Sequence, residues 1–163
     1  MTEYRLPADY RSPDERQLWE LRPKESVGPL RFGAAVEEAI DVLGATNLIS
    51  HGVDEASFEG GVYIKFDRDG LSSVTLAGKD GPRLVLEGFN LTGRKPSEIE
   101  QWLDDRNEAS GGKPDPFVMD IRGDFCSSHF GLRVHASPCG DVLVTTPTAG
   151  SASWTAEHLE DDY

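Results

Sequence analysis

The stretch that most constrains this chain runs from Val62 to Glu87. Val62, Ile64 and Phe66 alternate with Tyr63, Lys65 and Asp67, so one side is aliphatic or aromatic and the other polar. A period of two is that of a half-buried strand. Asp67-Arg68-Asp69-Gly70 then supplies a tight turn, with Gly70 free to take a positive φ. Leu71 to Ala77 returns with Val74 and Leu76 as its strongest apolar positions. Gly78 to Pro82 makes a second turn, and Arg83 to Glu87 runs out again through Leu84, Val85 and Leu86. Three such runs in close succession predict an antiparallel meander. A meander alone leaves its apolar face wet, so it needs a cover.

Two helices flank it and can provide that cover. Val36, Ala39, Ile40 and Leu43 recur at helical spacing, with Glu37, Glu38 and Asp41 on the other side and Gly44 as a stop. Only Gly33 or Ala34 is available as the N-cap of this helix. Pro96 opens the second helix. Ile99, Trp102 and Leu103 form its apolar stripe, while Glu98, Glu100, Asp104 and Asp105 face water. Carboxylates in its first turn suit the helix dipole. Beyond it, Phe117 to Ile121 reads as a short strand. Phe130, Leu132 and Val134 predict another, which turns at Pro138 to Asp141 and returns over Val142 to Thr146.

The remaining segments carry weaker patterns. Residues 1–27 are polar and punctuated by Pro7, Pro13 and Pro23, and are read as an N-terminal arm before a domain over 28–163. Ser12-Pro13-Asp14-Glu15 suits a short helix start. Gln17 to Arg22 suits equally an extended segment with Trp19 and Leu21 on one side. Thr46 to Gly61 reads as irregular, anchored by Phe58, and Asn107 to Pro116 as a flexible loop. The expected fold is a single α+β domain. It has an antiparallel sheet of about five to seven strands, a meander plus a hairpin, covered on one face by helices near 34–43 and 96–105.

A chain of 163 residues is long enough for one core. No apolar run reaches the roughly 18 residues of a membrane span. Met1-Thr2-Glu3-Tyr4-Arg5 shows no secretory signal, which points to the cytosol. Charge narrows the partners. Residues 1–31 carry six basic and six acidic side chains, so the whole net charge of −13 lies in residues 32–163. That balance disfavours nucleic acid and anionic membranes and favours basic partners, although acidity also serves solubility.

Candidate chemistry is sparse. Cys126, His129, His135 and Cys139 hold donors suited to tetrahedral zinc, but the five-residue gap between the histidines is short for a finger and crosses an apparent strand. A regular strand there separates His129 from His135 by about 20 Å, at about 3.3 Å per residue. No metal is therefore expected. A Cys126–Cys139 disulfide would tie the hairpin ends, and cytosolic thiols disfavour it. Asp124, Cys126 and His129, or Ser127 or Ser128 with a histidine, are thinkable as nucleophile sets, yet no glycine-framed elbow accompanies them. Gly60-Gly61 and Gly111-Gly112 lack the surroundings of a phosphate cradle. Asp67 to Gly70 is a turn and not a calcium loop. No cofactor is implied. What remains is an acidic patch for a basic partner on Glu98, Glu100, Asp104 and Asp105, with Glu108 and the tail residues Glu157, Glu160, Asp161 and Asp162 as further candidates. The plain alternative is a solvated face.

Gly28-Pro-Leu-Arg-Phe-Gly33, the run Val36-Glu-Glu-Ala-Ile-Asp-Val-Leu-Gly44, and Pro96-Ser97-Glu98 together resemble a pattern of small acidic bacterial proteins. Some of these are similar to immunity proteins of polymorphic toxin systems. The resemblance covers residues 28–105 and implies no catalytic residues. It implies a non-enzymatic protein that neutralises a basic toxin by steric occlusion. The competing expectations are a regulatory or structural interaction domain, and a small enzyme or zinc protein built on the segment from Asp124 to Cys139.

Overall fold

The computed structural model describes residues 10–111, 117–120, 122–140 and 142–159. Two antiparallel-rich sheets and three helices form a single α+β domain, with one main core shared by the sheets and the first two helices. The predicted hairpin is its centre. Strand β6 (Val62–Asp67) pairs with β7 (Gly70–Leu76), and Val62, Ile64, Phe66, Val74 and Leu76 are all buried. At the turn, the Asp69 amide donates to Asp67 Oδ1 at 2.8 Å. Gly70 has φ of +103°, and a side chain there would strike the carbonyl of Gly33, so glycine is required twice over.

The segment expected to be irregular supplies two further strands. Strand β5 (Glu55–Phe58) pairs with β6, and β4 (Leu48–His51) pairs with β5. Phe58 anchors them as expected, at 2% exposure. On the other side of β7 lies the second hairpin, longer than its apolar run suggested: β12 (Leu132–Cys139) with β13 (Val142–Gly150). It begins at Leu132, because Phe130 and Gly131 belong to the preceding turn. Strands β11 (Phe125–Ser127) and β10 (Val118–Met119) complete the eight-stranded order β10-β11-β12-β13-β7-β6-β5-β4.

The meander itself needs correction. Strand β8 (Arg83–Leu86) does not pair with β7. It runs parallel to β1 (Leu18–Arg22), with Trp19 opposite Leu84. With β2 (Ser26–Val27), β3 (Leu30–Arg31) and β9 (Phe89–Asn90) it forms a five-stranded sheet. Gly78 lies against the carbonyl of Thr145, 2.6 Å from where its side chain would begin, so the chain leaves the first sheet through a gap that only glycine fits. Residues 17–22 take the extended alternative, with Trp19 and Leu21 in the core, and the short helix is one turn, Pro13–Glu15. The 27/28 boundary thus falls inside the β2–β3 hairpin, and β1 and β2 belong to the common core.

The first two helices pack where expected. Helix α1 (Val36–Leu43) buries Ala39 fully and Val36, Ile40 and Leu43 in part. Helix α2 (Pro96–Ala109) runs one turn beyond its expected end and buries Ile99, with Trp102 and Leu103 partly covered. The third, α3 (Ala152–His158), was not legible in the sequence and lies on the opposite face of the large sheet. Its Trp154 fills the space over Gly150 and clusters with Cys126 and Leu159, apart from the main core. Among the described residues no helix is long and apolar enough to cross a membrane.

Candidate functional site: the outer flank of the second helix

The carboxylates of α2 divide by role. Glu98 turns back on its own helix start. Its Oε1 accepts from the Lys95 amide at 3.1 Å, and its Oε2 accepts from Arg94 at 2.9 Å. The first contact satisfies an amide the helix leaves orphaned, so Glu98 is a cap. Asp105 is exposed and accepts from Gln101 at 2.9 Å. Glu100, Asp104 and Glu108 follow at four-residue spacing along one exposed flank. Among the described residues none of these three has a cation within ion-pair distance.

The inner side of α2 explains why this flank is held rigidly outward. Trp102 stacks on Phe89 with ring centres 4.7 Å apart and meets Phe117 edge-on at 5.7 Å. Phe117 in turn lies 5.4 Å from Phe130. The Arg106 guanidinium sits 4.9 Å from the Trp102 ring centre and pairs with Glu87. The helix is therefore wedged between β9 of the small sheet and the β11–β12 end of the large one.

Beside the acidic flank is a cleft of about 350 Å³ between α2 and the edge strand β10 with its neighbour β11. Glu100 and Asp104 lie on its helix side, with Leu103 between them, and Phe117, Met119 and Phe125 line the strand side. Met119 is 55% exposed on the edge strand β10, beside Val118 at 41%. Sequence reasoning missed this cleft, since Phe117 to Met119 carries only a weak strand pattern.

Glu157, the described acidic residue of the tail, does not join this patch. Glu157 belongs to α3 on the opposite face, where it lines a cavity of about 430 Å³ with Lys65, Asp67, Arg133 and Trp154. Glu160, Asp161 and Asp162 lie outside the described residues.

The four candidate metal ligands do not converge. Cys126 pairs across the ladder with Arg133, whereas Cys139 lies at the far end of β12 opposite Val142. Cys139 lies six positions along the strand from Arg133, about 20 Å at about 3.3 Å per residue. That span also exceeds the reach of a disulfide between them. Among the described residues no group of three His, Cys, Asp or Glu could hold a metal ion. His129 is exposed and lies edge-on to Phe130 at 4.8 Å.

The imagined nucleophile sets are likewise rearranged. The buried Asp124 faces His135 and not His129, with Oδ1 2.7 Å from His135 Nδ1. The Cys126 thiol points at Asp120 Oδ2, 3.7 Å away, and burial pushes its pKa up to about 11. A thiol so raised is protonated at neutral pH and a poor nucleophile. The Asp120 carboxyl is lowered despite its desolvation, because the amides of Asp124 and Arg122 donate to it. Ser127 Oγ accepts from the Phe130 amide at 3.1 Å and shapes the turn before β12. Asp124, Cys126 and Ser127 are thus each engaged within the β10–β12 corner.

The comparisons with known proteins add no relative: no family model, characterised protein or solved structure matches this chain.

Proposed function

We propose that this protein is a non-enzymatic binding protein of the immunity type, which docks a basic toxin-like partner on the outer flank of α2 and blocks it sterically. The observation that carries this reading is the row Glu100, Asp104 and Glu108. These carboxylates are exposed, are not neutralised by described neighbours, and stand on a helix fixed by its aromatic inner side. A net charge of −13 adds a long-range field of the same sign. Such a surface speeds encounter with a cationic partner, and the bulk of two packed sheets behind it covers whatever it meets. The resemblance of residues 28–105 to immunity proteins points the same way.

Charge reversal tests this. Glu100→Lys with Asp104→Lys moves the net charge by +4, from −13 to −9, at positions that make no core contact. Association with the basic partner at low salt should slow about tenfold or more, and its salt dependence should flatten, with circular dichroism unchanged. Association indifferent to both reversals and to salt would leave the acidity as a solubility device only.

A further inference from the structure

The cleft beside α2 defines what the partner must present. Its lining is mixed: Leu103, Phe117, Val118, Met119 and Phe125 give apolar surface, while Glu100, Asp104 and Asn107 make its helix side polar. Phe117 and Phe125 are buried, but Met119 is left 55% exposed. With Val118 at 41%, it leaves apolar surface open beside the carboxylates of α2. Methionine adapts its shape to different apolar groups, which suits a contact that forms and breaks. The volume of about 350 Å³ is at the lower end of the roughly 300–1,000 Å³ of small-ligand pockets, room for one or two side chains.

Resting on the acidic-flank reading above, we propose that this cleft is an anchor site for a basic protein segment. One large apolar side chain of the partner enters between Leu103, Met119 and Phe125. Lysine or arginine side chains on either side of it pair with Glu100 and Asp104. Charge complementarity selects this occupant. A second copy of the chain would bring another −13 to an already negative face, and nucleic acid or an anionic membrane would be repelled in the same way. An apolar anchor desolvated at the centre with charges at its rim is the usual division of labour in a protein interface.

The chain has two methionines, Met1 and Met119, so protein carrying ¹³C-methyl methionine reports on the cleft through one of two resonances. The probes are two pentapeptides of equal charge, lysine-lysine-leucine-lysine-lysine and the same peptide with alanine at its centre. The leucine peptide should shift the Met119 methyl resonance saturably and bind about tenfold more tightly than the alanine peptide. Met119→Gln, followed by the amide resonances of α2, should remove that preference and leave the alanine peptide's affinity unchanged. If the two peptides bind alike, with salt-sensitive shifts along α2 and a still Met119, the anchor is wrong and the acidic flank stands. If a leucine peptide flanked by glycines binds as tightly as the lysine version, the basic requirement is wrong. If neither lysine peptide binds at low salt, both the anchor and the acidic-flank reading fail.

Discussion

Trp102→Ala is expected to destabilise the protein by about 3–5 kcal/mol, at the lower end of that range because the side chain is partly exposed. The cost has two sources. The indole leaves a void between Phe89 and Phe117, which it now joins by a stacked contact at 4.7 Å and an edge contact at 5.7 Å. Aromatic pairs of this geometry contribute about 0.5–1.5 kcal/mol each beyond their buried area. The substitution also removes the ring beneath Arg106, whose guanidinium sits 4.9 Å from its centre. Since Phe89 belongs to β9 and Phe117 leads into β10, the loss falls on the seam between the two sheets. Trp102→Phe, which keeps a ring, should cost less. Urea denaturation gives both values from the midpoint and slope. A midpoint unmoved by Trp102→Ala would mean that α2 does not join the sheets.

Arg16→Met should cost about 3 kcal/mol, because a buried guanidinium there closes the N-terminal segment onto the domain. Arg16 is 3% exposed and donates to the carbonyls of Arg11 at 2.9 Å, Lys79 at 2.8 Å and Gly81 at 3.3 Å. Tyr10 lies over it at 4.9 Å and donates its own hydroxyl to the Gly93 carbonyl. Burial lowers the Arg16 pKa, the mark of a cation held in place by carbonyl dipoles at a desolvation cost. Methionine keeps the apolar stem but stops short of the guanidinium and leaves the Arg11 and Gly81 carbonyls without that donor, while Lys79 keeps the Arg11 amide at 2.7 Å. Arg16→Lys should recover only part of the loss, since an ammonium cannot reproduce a planar fork reaching three carbonyls. Denaturation midpoints equal for Arg16→Met and the parent protein would show that the segment from Tyr10 to Gln17 adds nothing to stability.

Local periodicity made part of this fold legible. The β6–β7 hairpin, both flanking helices and the β12–β13 hairpin all follow from spacings of two or of three and four. The parallel pairing of Trp19 with Leu84 did not, because nothing near either residue encodes a partner so distant in the chain. Gly78 held the only local hint. It sits where the chain must pass close to the backbone of Thr145, but a glycine in a loop has many causes. Helix α3 escaped notice because Ala152 to His158 is short and rests mainly on Trp154, with no repeating apolar stripe. Sheet strands β4 and β5 were hidden by polar and exposed positions such as Ile49, which is 65% exposed on the edge strand.

The candidate site divides along the same line. That α2 would present carboxylates was readable from their helical positions. That Glu98 is consumed as a cap, while Glu100 and Asp104 border a partly apolar cleft, depended on how β10 sits beside the helix. The zinc-like set failed for a reason the sequence did contain, namely a strand between its members. The Asp124–His135 contact could not be anticipated, because it crosses from the end of one strand to the middle of another.

Hydrogen–deuterium exchange of the protein, alone and saturated with its basic partner, tests the docking claim most directly. Binding on the outer flank of α2 predicts slowed exchange at amides of residues 98–109 and of 118–126, with little change across β4 and β5. Slowing confined to α3 and to the strands beneath it, around Lys65 and Arg133, would place the partner on the opposite face and contradict the assignment.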